Sequence, residues 1–157
     1  MNILRGNSGE ESVDRTYIDT DLKYKELIDE MKGCPFCPPN FPGKNVVLYE
    51  FGGWQIMERL KELVPYQNVD THLIMLPKKH IRNLEGIGSA DWYAVKKLIV
   101  FAKEKFLIFD TGGGLAIRFG SNSGVTIYHV HFHLIAPITN PETGKVYPGK
   151  HVDFPIG

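Results

Sequence analysis

Cysteine is scarce in this 157-residue chain, with Cys34 and Cys37 the only two. Two thiols three positions apart cannot build a disulfide framework. Charge of one sign is also missing, because 18 Lys and Arg balance 18 Asp and Glu. That balance excludes a strongly basic surface for non-specific nucleic-acid binding, and no nucleic-acid partner is expected. No apolar run approaches the ~18 residues of a membrane span, so no membrane partner is expected either. The first residues, MNILRGNSGEESVDR, lack the apolar stretch of a signal peptide, and the expected location is cytoplasmic. Internal repeats and low-complexity tracts are absent. The run Gly112-Gly113-Gly114 lacks the Gly-Lys-Ser/Thr ending of a phosphate loop and precedes a strand, so it reads as a turn.

What remains is an ordinary globular composition, 43% hydrophobic and 23% charged, enough for one domain with one core. Residues 1–18 carry no apolar period and are read as a flexible leader, leaving a single domain over 19–157. Thr20 or Asp21 caps a short expected helix, with Leu22, Leu27, Ile28 and Met31 inward and Gly33 at its end. Strands are expected over 45–50, 54–60, 72–76, 115–119 and 127–136, the first two as a hairpin around Gly52-Gly53. From Ser89, the spacing of Trp92, Val95, Leu98, Ile99, Ala102 and Phe106 predicts a long helix, with Asp91 in its first turn. Five strands without a βαβ rhythm imply an α+β fold, an antiparallel sheet packed with one long and one short helix.

Two clusters carry chemistry. Cys34-Pro35-Phe36-Cys37 reads as a redox pair, as half a zinc site or as two unrelated thiols beside a Pro-rich turn. The redox reading lacks its usual βαβ setting. Three of the six histidines fall in His129-Val130-His131-Phe132-His133. On a strand these imidazoles share one face, ~6.6 Å apart for neighbours. Two neighbours can share a metal, whereas three on one ion would strain a regular strand. The row therefore suggests divided labour between a metal and an anion.

The segment His129-Val130-His131-Phe132-His133-Leu134-Ile135 fits His-φ-His-φ-His-φ-φ, with φ apolar. It resembles the motif of the histidine triad (HIT) family of nucleotide hydrolases and transferases. Upstream, Thr71-His72-Leu73-Ile74-Met75-Leu76-Pro77-Lys78-Lys79-His80-Ile81 is similar to that family's strand and Pro-Lys-x-His segment. Cys-x-x-Cys recurs in its zinc-bearing members, and Phe154-Pro155-Ile156-Gly157 is faintly like the Trp-Pro-Pro-Gly ending of one branch. The resemblance implies a HIT-like fold and a nucleotide substrate. His131 would be the nucleophile, His133 a stabiliser of phosphate charge, and His72 a residue that orients them. Cys34, Cys37, His80 and His129 would hold a structural zinc ion. Backbone N–H groups of Ser121, Asn122, Ser123 and Gly124 would meet developing charge, with Thr126 near the phosphate. Relatives often form dimers, so the resemblance also implies a homodimer.

Two departures stand out. Arg118 occupies the position, eleven residues before the first triad histidine, where the family commonly has Asn or Gln. Val125 stands four residues before that histidine, where Gln is common. A guanidinium suits a further anionic group, so Arg118 is expected to bind substrate, although a solvated charge at a strand end is the plainer reading. The activity implied is hydrolysis of a nucleoside polyphosphate or phosphoramidate through a nucleotidyl-histidine. The alternatives are a nucleotidyltransferase or phosphorylase on the same scaffold, a non-catalytic nucleotide-binding module, and an enzyme with a catalytic metal on the triad.

Overall fold

Two consecutive glycines set the first hairpin. Gly52 and Gly53 have φ of 57° and 80°, a left-handed pair that closes a two-residue turn matching the twist of its strands. It joins β1 (Val47–Phe51) to β2 (Trp54–Glu58). A Cβ on Gly52 would lie 3.1 Å from that of Ala94, so the turn also sits close against a helix. The computed structural model describes residues 26, 29–60, 68–120, 123 and 125–151. The expected leader, most of the expected short helix and the Phe154-Pro155-Ile156-Gly157 ending lie outside these residues.

The chain continues through β3 (Val69–Pro77), α1 (Ser89–Lys105), β4 (Gly114–Ile117) and β5 (Phe132–Pro137). The sheet is antiparallel throughout, in the order β1-β2-β3-β5-β4. This is the expected α+β architecture, five strands with one long helix. A 3-10 turn, Leu107–Asp110, leads from α1 toward Gly112 and Gly113, so the glycine run is a connection.

Alternation along the strands divides the sheet into two faces. Trp54, Ile56, Leu73, Met75, Phe132, Leu134 and Ala136 pack with Ala94, Val95, Leu98 and Ala102 of α1 into the larger core. Trp54 and Phe132 are essentially fully buried with centroids 5.8 Å apart, and each ring contributes roughly 1.5–3 kcal/mol by burial. The helix start is tied to the sheet by one carboxylate. Asp91 accepts hydrogen bonds from the Trp54 indole N–H and the Gly88 backbone N–H, both at 2.8 Å. These bonds, the indole's first, hold its pKa below the usual carboxylate value. Trp92, expected inward, is 48% exposed. It still meets the buried Phe132 ring edge-on at 5.5 Å, while Ala94 is the buried residue that Gly52 approaches.

The opposite face is covered by a loop. Cys34, Phe36 and Phe41 pack on Met57, Ile74, Leu76 and Ile127 as a second, smaller core. One expected strand is shorter than the sequence suggests. Residues 127–131 do not join the ladder, which begins at Phe132. Instead the Val130 N–H donates to the Ile81 carbonyl at 2.7 Å, and Ile127 turns into the smaller core. Only His133 of the three triad histidines lies on a regular strand.

Candidate active site and metal centre

Strand register brings His72 and His133 together. Ile74 pairs with His133 and His72 with Ile135, so both imidazoles stand on the loop-covered face, one diagonal apart. Their Nε2 and Nδ1 atoms are hydrogen-bonded at 2.8 Å. His131 follows from the break in the strand. Its ring lies 5.0 Å from that of His133, and its Nδ1 is 2.7 Å from the His129 carbonyl oxygen. A carbonyl only accepts, so Nδ1 carries the proton and Nε2 keeps its lone pair. The sequence-based picture of three evenly spaced imidazoles on one face is corrected here. Two face each other, and the third turns away.

That third ring belongs to a different cluster. His129 is fully buried, with its Nε2 2.8 Å from the Pro77 carbonyl oxygen, so Nε2 holds the proton and Nδ1 is the free donor atom. Nδ1 of His129 lies 3.4 Å from both Cys34 Sγ and Cys37 Sγ, and Cys37 Sγ lies 3.3 Å from His80 Nδ1. The ligand atoms of Cys34, Cys37, His80 and His129 all fall within 4.8 Å of one another. A tetrahedral zinc with ordinary Zn–S and Zn–N bonds would set S···N edges of ~3.6 Å. Two thiols and two imidazoles at this spacing fit a closed Cys₂His₂ set. The Pro77 carbonyl supplies the partner that fixes the tautomer of a ligating histidine.

Burial decides the charge state of the cluster. His72 is pushed down to about 3 by burial first and by the charges of Arg59 and His131 after it. His133 is held well below the ordinary imidazole value by burial, then by His131, His72, Arg118 and Arg59. His131 is lowered by burial, partly offset by its bond to the His129 carbonyl, with Arg118 lowering it further. His129 is lowered to about 4, chiefly by burial. Burial also pushes the Cys34 thiol up to about 12. The imidazoles are therefore neutral at pH 7, the form in which a ring nitrogen is a nucleophile or a metal ligand.

The remaining sequence-based candidates are placed less closely. Arg118 is exposed, directly after β4, and its charge reaches His131 and His133. Thr126 is half-buried between Val125 and Ile127. Gly124, with Ser121 and Asn122, lies outside the described residues. Two residues at the site were not singled out from sequence. Phe36 meets His129 and His131 edge-on, with centroids 5.8 and 5.2 Å away. Its place between the two cysteines was the available signal. Arg59 donates its backbone N–H to the His72 carbonyl at 2.9 Å. It shares strand parity with Gln55 and Met57, which was legible once the strand was assigned.

No family model matches the chain. An uncharacterized HIT-like protein of Chlamydia muridarum is 30% identical over 73 residues, covering 45% of this chain and 57% of that protein. A second, from Chlamydia trachomatis, is 29% identical over 73 residues, covering 45% of this chain and 65% of that protein. The match thus spans under two thirds of either relative. Among solved structures, a HIT family hydrolase from Clostridium thermocellum superposes with a TM-score of 0.53 at 23% identity, covering 69% of this chain and 93% of that one. A hypothetical histidine triad nucleotide-binding protein from Sulfolobus tokodaii gives 0.53 at 22% identity, covering 77% and 76%. These two likenesses show the fold. With HIT-like curated relatives, a HIT-like sheet and the triad and Cys-x-x-Cys residues gathered on one face of it, the chain is similar to proteins of the histidine triad family and shares their fold.

Proposed function

We propose that this protein is a nucleotide hydrolase that works through a covalent nucleotidyl-histidine on His131. The observation that carries this reading is the 2.7 Å contact between His131 Nδ1 and the His129 carbonyl. It holds the proton on Nδ1 and presents the Nε2 lone pair. Nε2 attacks the phosphorus of a nucleoside polyphosphate or phosphoramidate. The N–P bond forms as the bond to the leaving group breaks, and the leaving group departs with that electron pair and takes up a proton. Water then attacks the phosphorus, the N–P bond returns its electrons to Nε2, and the proton of the water is released. Two easier substitutions replace one difficult one.

His133 is the charge stabiliser. If His72 donates from Nε2 across the 2.8 Å bond to His133 Nδ1, then His133 carries its proton on Nε2 and donates it to a non-bridging oxygen. His72 thus orients the pair. The Gly124 backbone N–H and the Thr126 hydroxyl are proposed as further donors to the phosphate, and Arg118 as a contact to substrate. A structural relative named as a HIT family hydrolase supports the reaction class, and Arg118 favours one rival, a transferase or phosphorylase using an anionic acceptor. Product analysis with and without inorganic phosphate separates the two outcomes.

Cys34, Cys37, His80 and His129 are proposed to bind structural Zn²⁺, which in such a closed set supplies folding energy and no open position for chemistry. Among the described residues, no helix is long and apolar enough to cross a membrane. The two free cysteines suit a reducing compartment, and we place the protein in the cytoplasm. A homodimer is proposed through the β4 edge, where Leu115 is 45% and Phe119 56% exposed.

A further inference from the structure

The sheet sets two guanidinium-bearing residues on opposite flanks of the histidine pair. On one flank, Glu58 pairs with Leu73, and the next ladder bond runs from the Arg59 N–H to the His72 carbonyl at 2.9 Å. Arg59 is therefore directly opposite His72 and shares its face of the sheet. On the other flank, Ala116 pairs with His133 and Ile117 with Phe132. Arg118 follows, two residues beyond Ala116, so alternation assigns it to the histidine face. From β2 through β3 and β5 to β4 is three strand spacings, ~14 Å, with the imidazoles in the middle.

The long side chains of both arginines start from the flanks of this span. A phosphate between His131 and His133 leaves one arginine on each side of it. Both positive charges act on the same ring, His133, and Arg59 also acts on His72 as Arg118 does on His131. In a chain of zero formal net charge, two arginines on the histidine face, one toward each flank of the neutral imidazoles, set positive charge on both sides of them.

We infer that Arg59 and Arg118 are the two arms of an anion clamp, and that the substrate carries a further phosphate-type anion on each side of the reacting phosphate. This rests on the nucleotidyl-histidine reading and narrows its substrate class. A nucleoside monophosphate engages neither arm fully. A ligand with a second phosphate on the leaving-group side engages one arm, and a ligand with a second phosphate on the nucleoside side engages the other. Arg is suited to both tasks, because its planar fork matches phosphate oxygens in pairs.

The test is calorimetric binding of three probes, adenosine 5′-monophosphate, adenosine 5′-diphosphate and adenosine 3′,5′-bisphosphate, to the wild type and to Arg59→Gln and Arg118→Gln. The wild type should bind both doubly phosphorylated probes more tightly than the monophosphate. Each variant should lose roughly 10- to 100-fold on one of the two and little on the monophosphate, and the two variants should lose different probes. Arg59→Lys and Arg118→Lys, which keep the charge, should retain most of each preference, and melting curves confirm that the variants fold. Equal losses on all three probes, or the same probe lost by both variants, would overturn the clamp while leaving the monophosphate site standing. A wild type that binds none of the three would overturn the nucleotide reading beneath it.

Discussion

At the scale of single residues, the three catalytic candidates differ in what each nitrogen is free to do. His131 has one nitrogen committed to a carbonyl, which leaves the lone pair on the other. His131→Ala should reduce turnover by at least about a thousandfold, with nucleotide binding retained, since the proposed bond-forming atom is gone. His133→Ala should cost roughly a hundredfold, because a charge donor lowers a barrier without forming the bond. Both are read from single-turnover rates beside a binding isotherm. His72 carries a pH signature. Its folded pKa, about 3, lies below the ordinary imidazole value of 6.5. Between those values the unfolded chain binds the proton and the folded chain refuses it. Stability is therefore fully present above pH 6.5 and lost as pH falls toward the folded pKa. Melting temperature should drop from pH 7 to pH 4.5, and drop less in His72→Gln. Equal slopes in the two proteins would contradict this assignment.

Among the elements, the loop carrying Cys34, Phe36 and Cys37 joins the candidate metal centre to the proposed nucleophile. Its thiols face His129, and its phenylalanine packs on both His129 and His131. Cys34→Ser should lower zinc content by elemental analysis and lower the melting temperature together. Activity should fall indirectly, because His129 supplies the carbonyl that sets the His131 tautomer. Unchanged stability in metal-free protein would refute the structural role. Phe36→Ala should cost about 3–5 kcal/mol in denaturant unfolding, as for a large buried ring elsewhere. The hairpin, the long helix and the central strands were legible from periodicity and turn residues, since those patterns record burial directly. The early departure of residues 127–131 from the ladder was not. It depends on Val130 finding the Ile81 carbonyl, a contact 49 positions away that no local pattern encodes. Arg59 escaped notice for a related reason. A lone arginine after a strand gains meaning only when register puts it opposite His72.

For the whole molecule, the two faces of one sheet divide the work. The helix side holds the larger core, and the loop side holds the smaller core, the candidate metal ligands and the imidazoles. The proposed dimer belongs to this scale. Leu115→Lys on the β4 edge should shift the protein toward monomer in analytical ultracentrifugation, and a wild type that is monomeric at every concentration would contradict it. The central claim, a nucleotide carried on His131, has one direct test. The protein is mixed briefly with a panel of nucleoside polyphosphates and phosphoramidates, quenched, and analysed by intact-mass and peptide mass spectrometry. The account predicts a single nucleotidyl adduct on the peptide containing His131, absent from His131→Ala. Turnover without any adduct, or an adduct that persists in His131→Ala, would contradict it.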